Sequence, residues 1–370
     1  MIRGWHRLVV LPVAVLCLAT GCATDGGGGA ATATSTPFLP VYVDESEAPR
    51  RPITLGFAGD VHFAGRSAPL LRNPPEAFGG LQEALADADV TVVNLKSAIT
   101  TRGEGVRTEG NFRAPATAFA ALEEAGVDAV SIASDHVLDF GPQGLTDTVA
   151  AATKAGFPVF GAGKDEAAAF RPWVTETPGG RVAVVALNTT PLFAESFAAS
   201  GGNPGVASPA DAKRAIAAVI DAKRSADVVV VYNQWGETDA QCPSPKQQAF
   251  ASALAEAGAS VIVGTGAAHT LQGAGWLGSA YVAYGLGDLI WFKDSPVSPD
   301  SGVLQLTVND GAVTAASFTP ARVSPATGQA EPLAGRAADE ARARFDALRA
   351  CAGLSAEPAT ASSPDAAPSR

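Results

Sequence analysis

From residue 53 to about residue 318 the chain is a series of short, nearly unbroken apolar runs separated by polar turns and Ala-rich stretches. The runs at 53–58, 90–93, 129–132, 182–187, 228–232 and 260–263 lack the apolar–polar alternation of a half-exposed strand, so they predict strands covered on both faces. Between them, 116–125, 142–155, 209–224 and 245–257 read as helices. Three of these open with Pro at or near the first turn, where its missing N–H leaves no bond unmade. Alternation of this kind predicts an α/β sheet with helices on its faces. Runs at 281–284, 303–308 and 313–318, with Asn309-Asp310-Gly311 between the last two, instead predict an antiparallel hairpin. Together they point to an α/β two-sheet sandwich flanked by helices more than to a simple doubly wound sheet. A final helix at 337–348 brings Cys351 back toward the body.

The two ends have a different texture. Arg3 and Arg7 precede an apolar run at 8–18 that leads into Ala19-Thr20-Gly21-Cys22. The run is shorter than the roughly 20 residues needed to span a bilayer, and reads as an export signal. A small residue directly before Cys predicts a lipoprotein signal over 1–21 with lipid on Cys22; an ordinary cleaved signal with an incidental Cys is the alternative. The expected location is the extracytoplasmic face of the cell membrane, with the lipid anchor as the sole membrane attachment. Residues 22–50 read as a flexible tether, 51–322 as the main domain, 323–356 as a C-terminal extension with its helix, and 357–370 as a disordered tail. Once Cys17 leaves with the signal and Cys22 carries lipid, Cys242 and Cys351 remain. In an oxidising compartment they predict a disulfide, the alternative being two free buried thiols.

At 370 residues and 47% hydrophobic content the chain can bury a sizeable core. Its formal charge is −11, and losing Arg3 and Arg7 would make it two units more negative. With no basic cluster to release counterions, nucleic acid is excluded as the main partner.

Polar residues follow the expected strands at the edge where α/β sheets place their sites. They are Gly59-Asp60-Val61-His62, Asn94-Leu95-Lys96-Ser97, Ala133-Ser134-Asp135-His136 with Asp139, Gln234-Trp235-Gly236-Glu237, and Gly264 through His269. Carboxylates and neutral imidazoles suit borderline divalent metals, and Asp60 and His62 can reach one ion from a strand end. These motifs, with Phe112-Arg113-Ala114-Pro115, Asp139-Phe140-Gly141 and Tyr284-Gly285-Leu286-Gly287-Asp288, resemble the CapA family over about residues 53–318. That family is associated with poly-γ-glutamate and capsule synthesis, and its domain is similar to calcineurin-like metallophosphatases.

The resemblance implies a metal site, from which this sequence departs. Family members usually read N-L-E where this chain has Asn94-Leu95-Lys96, A-N-N-H where it has Ala133-Ser134-Asp135-His136, and H-W-G where it has Gln234-Trp235-Gly236. They read G-x-H-x-H where it has Gly264-Thr265-Gly266-Ala267-Ala268-His269. Carried over, Asp60, His62, Asp135 and His269 are candidate ligands for one divalent metal (Mn, Zn or Fe), with no metal at all as the alternative. The positions expected to hold a second ion are lost, and Lys96 puts a fixed positive charge there. His136 with Asp139 is a candidate general acid, or a pair that orders the turn. Asn94, Lys96, Gln234, Trp235, Glu237 and Arg66 are candidate contacts to an anionic ligand.

Three functions stay open on this reading. One is a metal-assisted hydrolase acting on an envelope polymer or its intermediate. The others are a non-catalytic accessory that binds such a polymer or a polymer-synthesis complex, and a surface adhesin.

Overall fold

The computed structural model describes residues 50–359, apart from 109, 191–193, 210, 238, 267–268 and 294–297. The signal, Cys22, most of the tether and the end of the tail lie outside the described residues. In chain order the strands of the two main sheets are β1 (Ile53–Val61), β2 (Val90–Leu95), β3 (Ala129–Ser131), β4 (Val159–Phe160), β5 (Trp173–Thr177), β6 (Gly180–Asn188) and β7 (Val228–Gln234). They continue with β8 (Val261–Thr265), β9 (Ala274–Leu277), β10 (Ala280–Ala283), β11 (Asp288–Ile290), β12 (Asp300–Asn309), β13 (Ala312–Val323) and β14 (Ala330–Pro332). One sheet has eight strands in the order β14-β13-β12-β1-β2-β3-β4, with β11 also paired to β1; the other has six, in the order β9-β10-β8-β7-β6-β5.

The unbroken apolar runs make sense once each side of a strand has its own layer. Leu55 and Phe57 of β1, Val90 and Val92 of β2, Val182 and Val184 of β6, and Val228 and Val230 of β7 meet between the sheets. The alternate residues point away: Val93 and Leu95 pack under α1 (Thr117–Glu124) and α2 (Gly141–Ala155). Val185 and Val229 pack under α3 (Ala212–Lys223) and α4 (Pro245–Glu256). The result is a four-layer α/β sandwich, in which period-2 strands are apolar at every position because both faces are covered.

Local chemistry sets most element ends. Pro142 and Pro245 occupy the first turns of α2 and α4. The third expected Pro start is corrected: α3 begins after Asp211, whose carboxylate caps the N–H groups of Lys213 and Arg214, and Pro209 precedes it. The hairpin joins β12 to β13 through Asp310 and Gly311, both at positive φ (47° and 78°), as a tight turn between right-twisted strands requires. β10 runs antiparallel to β9 but parallel to β8, so the run at 281–284 belongs to the second sheet and not to the hairpin.

Two features tie the layers together. The Tyr232 hydroxyl donates to the carbonyl of Ala58, bridging the sheets, and burial together with Asp60 pushes its pKa well above the usual phenol value. At the C-terminal side, β14 adds an edge strand to β13, and Trp276 and Ser355 exchange two backbone bonds of 2.9 Å. Residues 323–356 are therefore woven into both sheets. After α5 (Gly335–Ala347), the short helix Arg349–Ala352 carries Cys351 to Cys242, with Cα atoms 5.7 Å apart and 109 positions between them in sequence. No helix among the described residues is long and apolar enough to cross a membrane.

Closing a loop of that length restricts the unfolded chain strongly. Cys351→Ser should lower stability to urea by about 2–4 kcal/mol relative to the oxidised protein. Reductant should destabilise the wild type by a similar amount and leave the variant unaffected. Equal midpoints for all forms would show that the bridge contributes nothing.

Candidate functional site

The parallel strands β1, β2, β7 and β8 end together, and their last residues converge. Asp60 pairs in register with Asn94, and Gln234 with Thr265. Asp60 is fully buried; its Oδ1 accepts from Asn94 Nδ2 at 2.8 Å and from the Thr265 hydroxyl. Beside it, Gly59 lies so close to Gly287 that a Cβ would sit 1.8 Å from the Gly287 carbonyl oxygen. That close approach lets the Asp60 N–H donate to Gly287 (3.0 Å) and sets Asp288 next to Asp60.

His269, held at φ 52°, places its Nδ1 3.2 Å from Asp288 Oδ1. One ligand atom each from Asp60, His269 and Asp288 lies within 4.8 Å of the others. Asp60 Oδ2 and Asp288 Oδ2 are buried without a hydrogen bond. Burial pushes the Asp288 carboxyl up to about 6 against the opposing pull of His269, and the Asp288 carboxylate raises the His269 pKa despite burial of the ring. Two carboxylates and an imidazole with free acceptor atoms fit one divalent cation. Asp288 was not among the ligands expected from sequence, although the Gly287-Asp288 step at a strand edge carried the signal.

A second group lies alongside. Lys96 is buried, with Nζ 2.9 Å from Asp135 Oδ1 and 3.6 Å from Asp60 Oδ2. Burial works against its charge, but Asp135, Asp60 and Asp288 outweigh it and the pKa is raised. Asp135 Oδ1 also accepts from Gln234 Nε2 at 2.7 Å, and Arg107 reaches its Oδ2 at 3.6 Å and its backbone carbonyl. Burial opposes ionisation of Asp135, yet Lys96, His136 and Arg107 hold its carboxyl well below the usual range. Asp135 is therefore neutralised by the chain's own donors and lies outside the Asp60–His269–Asp288 group, unlike the ligand set expected from sequence.

His136 is oriented by Asp139, Nδ1 to Oδ2 at 2.8 Å, and its Nε2 stands 3.4 Å from Asp135 Oδ2. Asp139 also accepts from the Phe112 N–H at 2.7 Å and forms an ion pair with Arg107, Nε to Oδ1 at 2.8 Å. His62 sits among rings: Phe112, Trp291 and Phe292 at 5.5, 5.2 and 5.0 Å, His136 at 5.9 Å and His269 at 6.5 Å. Burial, then Lys96 and the two other imidazoles, lowers its pKa well below the ordinary value, so it is a neutral ring. Neither of its nitrogens has a hydrogen bond, and both lie outside the Asp60–His269–Asp288 cluster.

The remaining sequence-predicted contacts divide. Asn94 and Gln234 belong to the site, 3.4 Å from each other. Trp235 is packed in the core against Tyr284, with its indole N–H on the Tyr284 carbonyl at 2.8 Å, and Glu237 is exposed beyond it. Arg66 donates to the carbonyls of Trp291 and Pro325 and ties two loops together. Trp235 and Arg66 thus donate to backbone carbonyls, and Glu237 is a surface residue.

Comparison with known proteins decides what this arrangement belongs to. The family described as bacterial capsule synthesis protein PGA_cap matches residues 54–292, which include every acid and imidazole described above. The chain belongs to this family. Within it, the chain is similar to the PGA biosynthesis protein CapA of Bacillus subtilis (strain 168), 29% identical over 206 residues, covering 56% of this chain and 53% of that one. It is also similar to a probable polyglutamine synthesis accessory protein of Mycobacterium tuberculosis (strain H37Rv), 35% identical over 212 residues, covering 55% of each. The chain spans about half the length of these curated relatives. Among solved structures, a putative 5'-nucleotidase of Staphylococcus aureus is similar at a TM-score of 0.48 and 14% identity, over 80% of this chain and 58% of that one.

Asp139 is the hub that fixes both His136 and Arg107. Asp139→Asn should cost about 3 kcal/mol in urea unfolding, because a largely buried guanidinium loses the charge of its closer carboxylate partner. In an Arg107→Met background the same change should cost much less. An undiminished cost there would show that the two groups are not coupled.

Proposed function

We propose that this chain is an accessory protein of envelope-polymer synthesis, lipid-anchored through Cys22 on the extracytoplasmic face of the membrane, with one divalent ion at Asp60, His269 and Asp288. The observation that carries the reading is the convergence of those three residues inside the stretch that matches the capsule-synthesis family. Manganese, zinc and iron are the metals that suit its mixed carboxylate and imidazole donors. The names of the relatives point to poly-γ-glutamate and capsule, so the ligand class is an anionic polymer or the complex that makes it. Placement on the membrane rests on Gly21-Cys22 and the signal before it.

A divalent ion bound there supplies Lewis-acid attraction for a carbonyl or anionic oxygen. The chain's own residues do the positioning. Asp60 is fixed by Asn94 and Thr265, and Asp288 is fixed by His269. Because Asp135 is saturated by Lys96, Gln234 and Arg107, the geometry favours holding an anionic segment over turning it over. A second reading, a metal-assisted hydrolase of the polymer or of a phosphorylated intermediate, has one observation in its favour. The half-buried His136 is held by Asp139 at the edge of the site, the arrangement of a general acid.

In cells lacking this chain, surface anionic polymer should fall, and wild type should restore it while Asp288→Asn restores less than a tenth. Full restoration by the variant would sink the metal part of the reading, and unchanged polymer on deletion would sink the polymer part. Cys22→Ala should move the protein from the membrane pellet to the soluble fraction and abolish labelling by palmitate. Retention in the pellet with label intact would rule out Cys22 as the anchor.

A further inference from the structure

We propose that Lys96 is an internal cation that fills one of two cation positions in this site, so that charge balance admits a single divalent ion. The inference deepens the one-ion reading of Asp60, His269 and Asp288 and rests on it. The charges form one continuous cluster. Lys96 stands between Asp135 at 2.9 Å and Asp60 at 3.6 Å, and Arg107 stands between Asp135 at 3.6 Å and Asp139 at 2.8 Å. Asp288 lies beside Asp60 in the strand register. Leaving the imidazoles out of the count, since an imidazole that ligates a metal is neutral, four carboxylates face one ammonium and one guanidinium. The cluster is two charges negative, the charge of one divalent ion.

A buried cluster that is not neutral is expensive, because each uncompensated charge loses its hydration with nothing in return. One ion brings the sum to zero; a second would leave two positive charges in the same dry volume. The geometry agrees with the count. Of the acceptor atoms left without a hydrogen bond, Asp60 Oδ2 and Asp288 Oδ2 belong to the Asp60–His269–Asp288 group, while Asn94 Oδ1 and the His62 nitrogens lie outside it. Beside that group Asp135 Oδ1 receives both the Lys96 ammonium and the Gln234 amide, so this oxygen cannot meet a metal at bonding distance without displacing Lys96. Gln234 strengthens the arrangement from the opposite sheet. Its amide spans from Asp135 to Asn94, so the ammonium is locked between the ends of β2 and β7.

The test is metal stoichiometry. The full chain, purified from membranes in detergent, is equilibrated with Mn2+ and its tightly bound manganese is counted by elemental mass spectrometry. Wild type should hold one ion per chain. Lys96→Glu makes the cluster four charges negative and should hold two. The paired change Lys96→Met with Asp135→Asn keeps the cluster at two negative charges and should still hold one. If Lys96→Glu is unfolded without metal, saturating Mn2+ should refold it, as followed by circular dichroism. Two ions in wild type, the same count in Lys96→Glu as in wild type, no refolding with Mn2+, or an extra ion in the paired variant would each overturn the proposal. No ion in wild type but one more in Lys96→Glu would overturn the one-ion reading and leave the role of Lys96 standing.

Discussion

A carboxylate buried at the edge of a sheet has to be answered by positive charge or hydrogen-bond donors close at hand, and the organisation of this site follows from how that is done. Transfer of an ion into the interior costs several kcal/mol even after relaxation. Asp60 is answered by Asn94, Thr265 and the more distant Lys96, and Asp135 by Lys96, Gln234 and Arg107. The protonation states are mutually consistent. Lys96 is pushed up and Asp135 down because each stabilises the other's charge, and His62 is pushed down because the neighbouring ammonium and its own burial both disfavour a further positive charge.

The scaffold makes this possible by bringing strand ends from two sheets within side-chain reach. Two close approaches, one in each sheet, shape these strand ends. Gly59 lies against the Gly287 carbonyl, and Gly264 leaves room for the indole of Trp235, whose nitrogen would be 2.1 Å from a Cβ at that position. Tyr232 spans the gap between the sheets directly beneath Asp60. A side chain at Gly59 would push the Gly287-Asp288 step away from the end of β1, and one at Gly264 would displace the Trp235 indole from the Tyr284 carbonyl.

The main strands and helices were legible in the sequence because a strand covered on both faces leaves an unbroken apolar run, and Ala-rich amphipathic stretches with Pro or Asp at the start leave a helix signature. Strand pairs of two residues, 98–99 with 113–114 and 162–163 with 205–206, carry no periodicity and were invisible. At the site, Asp60, Asn94, Lys96, Gln234 and His269 were readable from their places after strands. The partners of Asp135 were not legible because spacing along the chain does not reveal that an ammonium 39 positions away and an amide 99 positions away fill its coordination sphere. The role of Trp235 was not legible because an indole next to a turn looks available until its N–H is seen on the Tyr284 carbonyl.

An ammonium and a divalent ion are not equivalent answers to the same acids. A metal has several open directions and can hold a ligand oxygen opposite its protein donors, whereas an ammonium has three donors and a fixed tether. With Lys96 committed to Asp135 and to Asp60, that half of the site contributes constant charge and no open valence. It also cannot dissociate, so the arrangement of β2, β7 and the His136 turn does not depend on metal supply. On the proposed one-ion reading, ligand-dependent behaviour belongs to the group of Asp60, His269 and Asp288, in which Asp60 Oδ2 and Asp288 Oδ2 have no hydrogen bond. On the proposed reading, an anionic segment would meet one exchangeable centre of attraction beside an internally neutral network, which is the physical basis for proposing a place that holds its ligand.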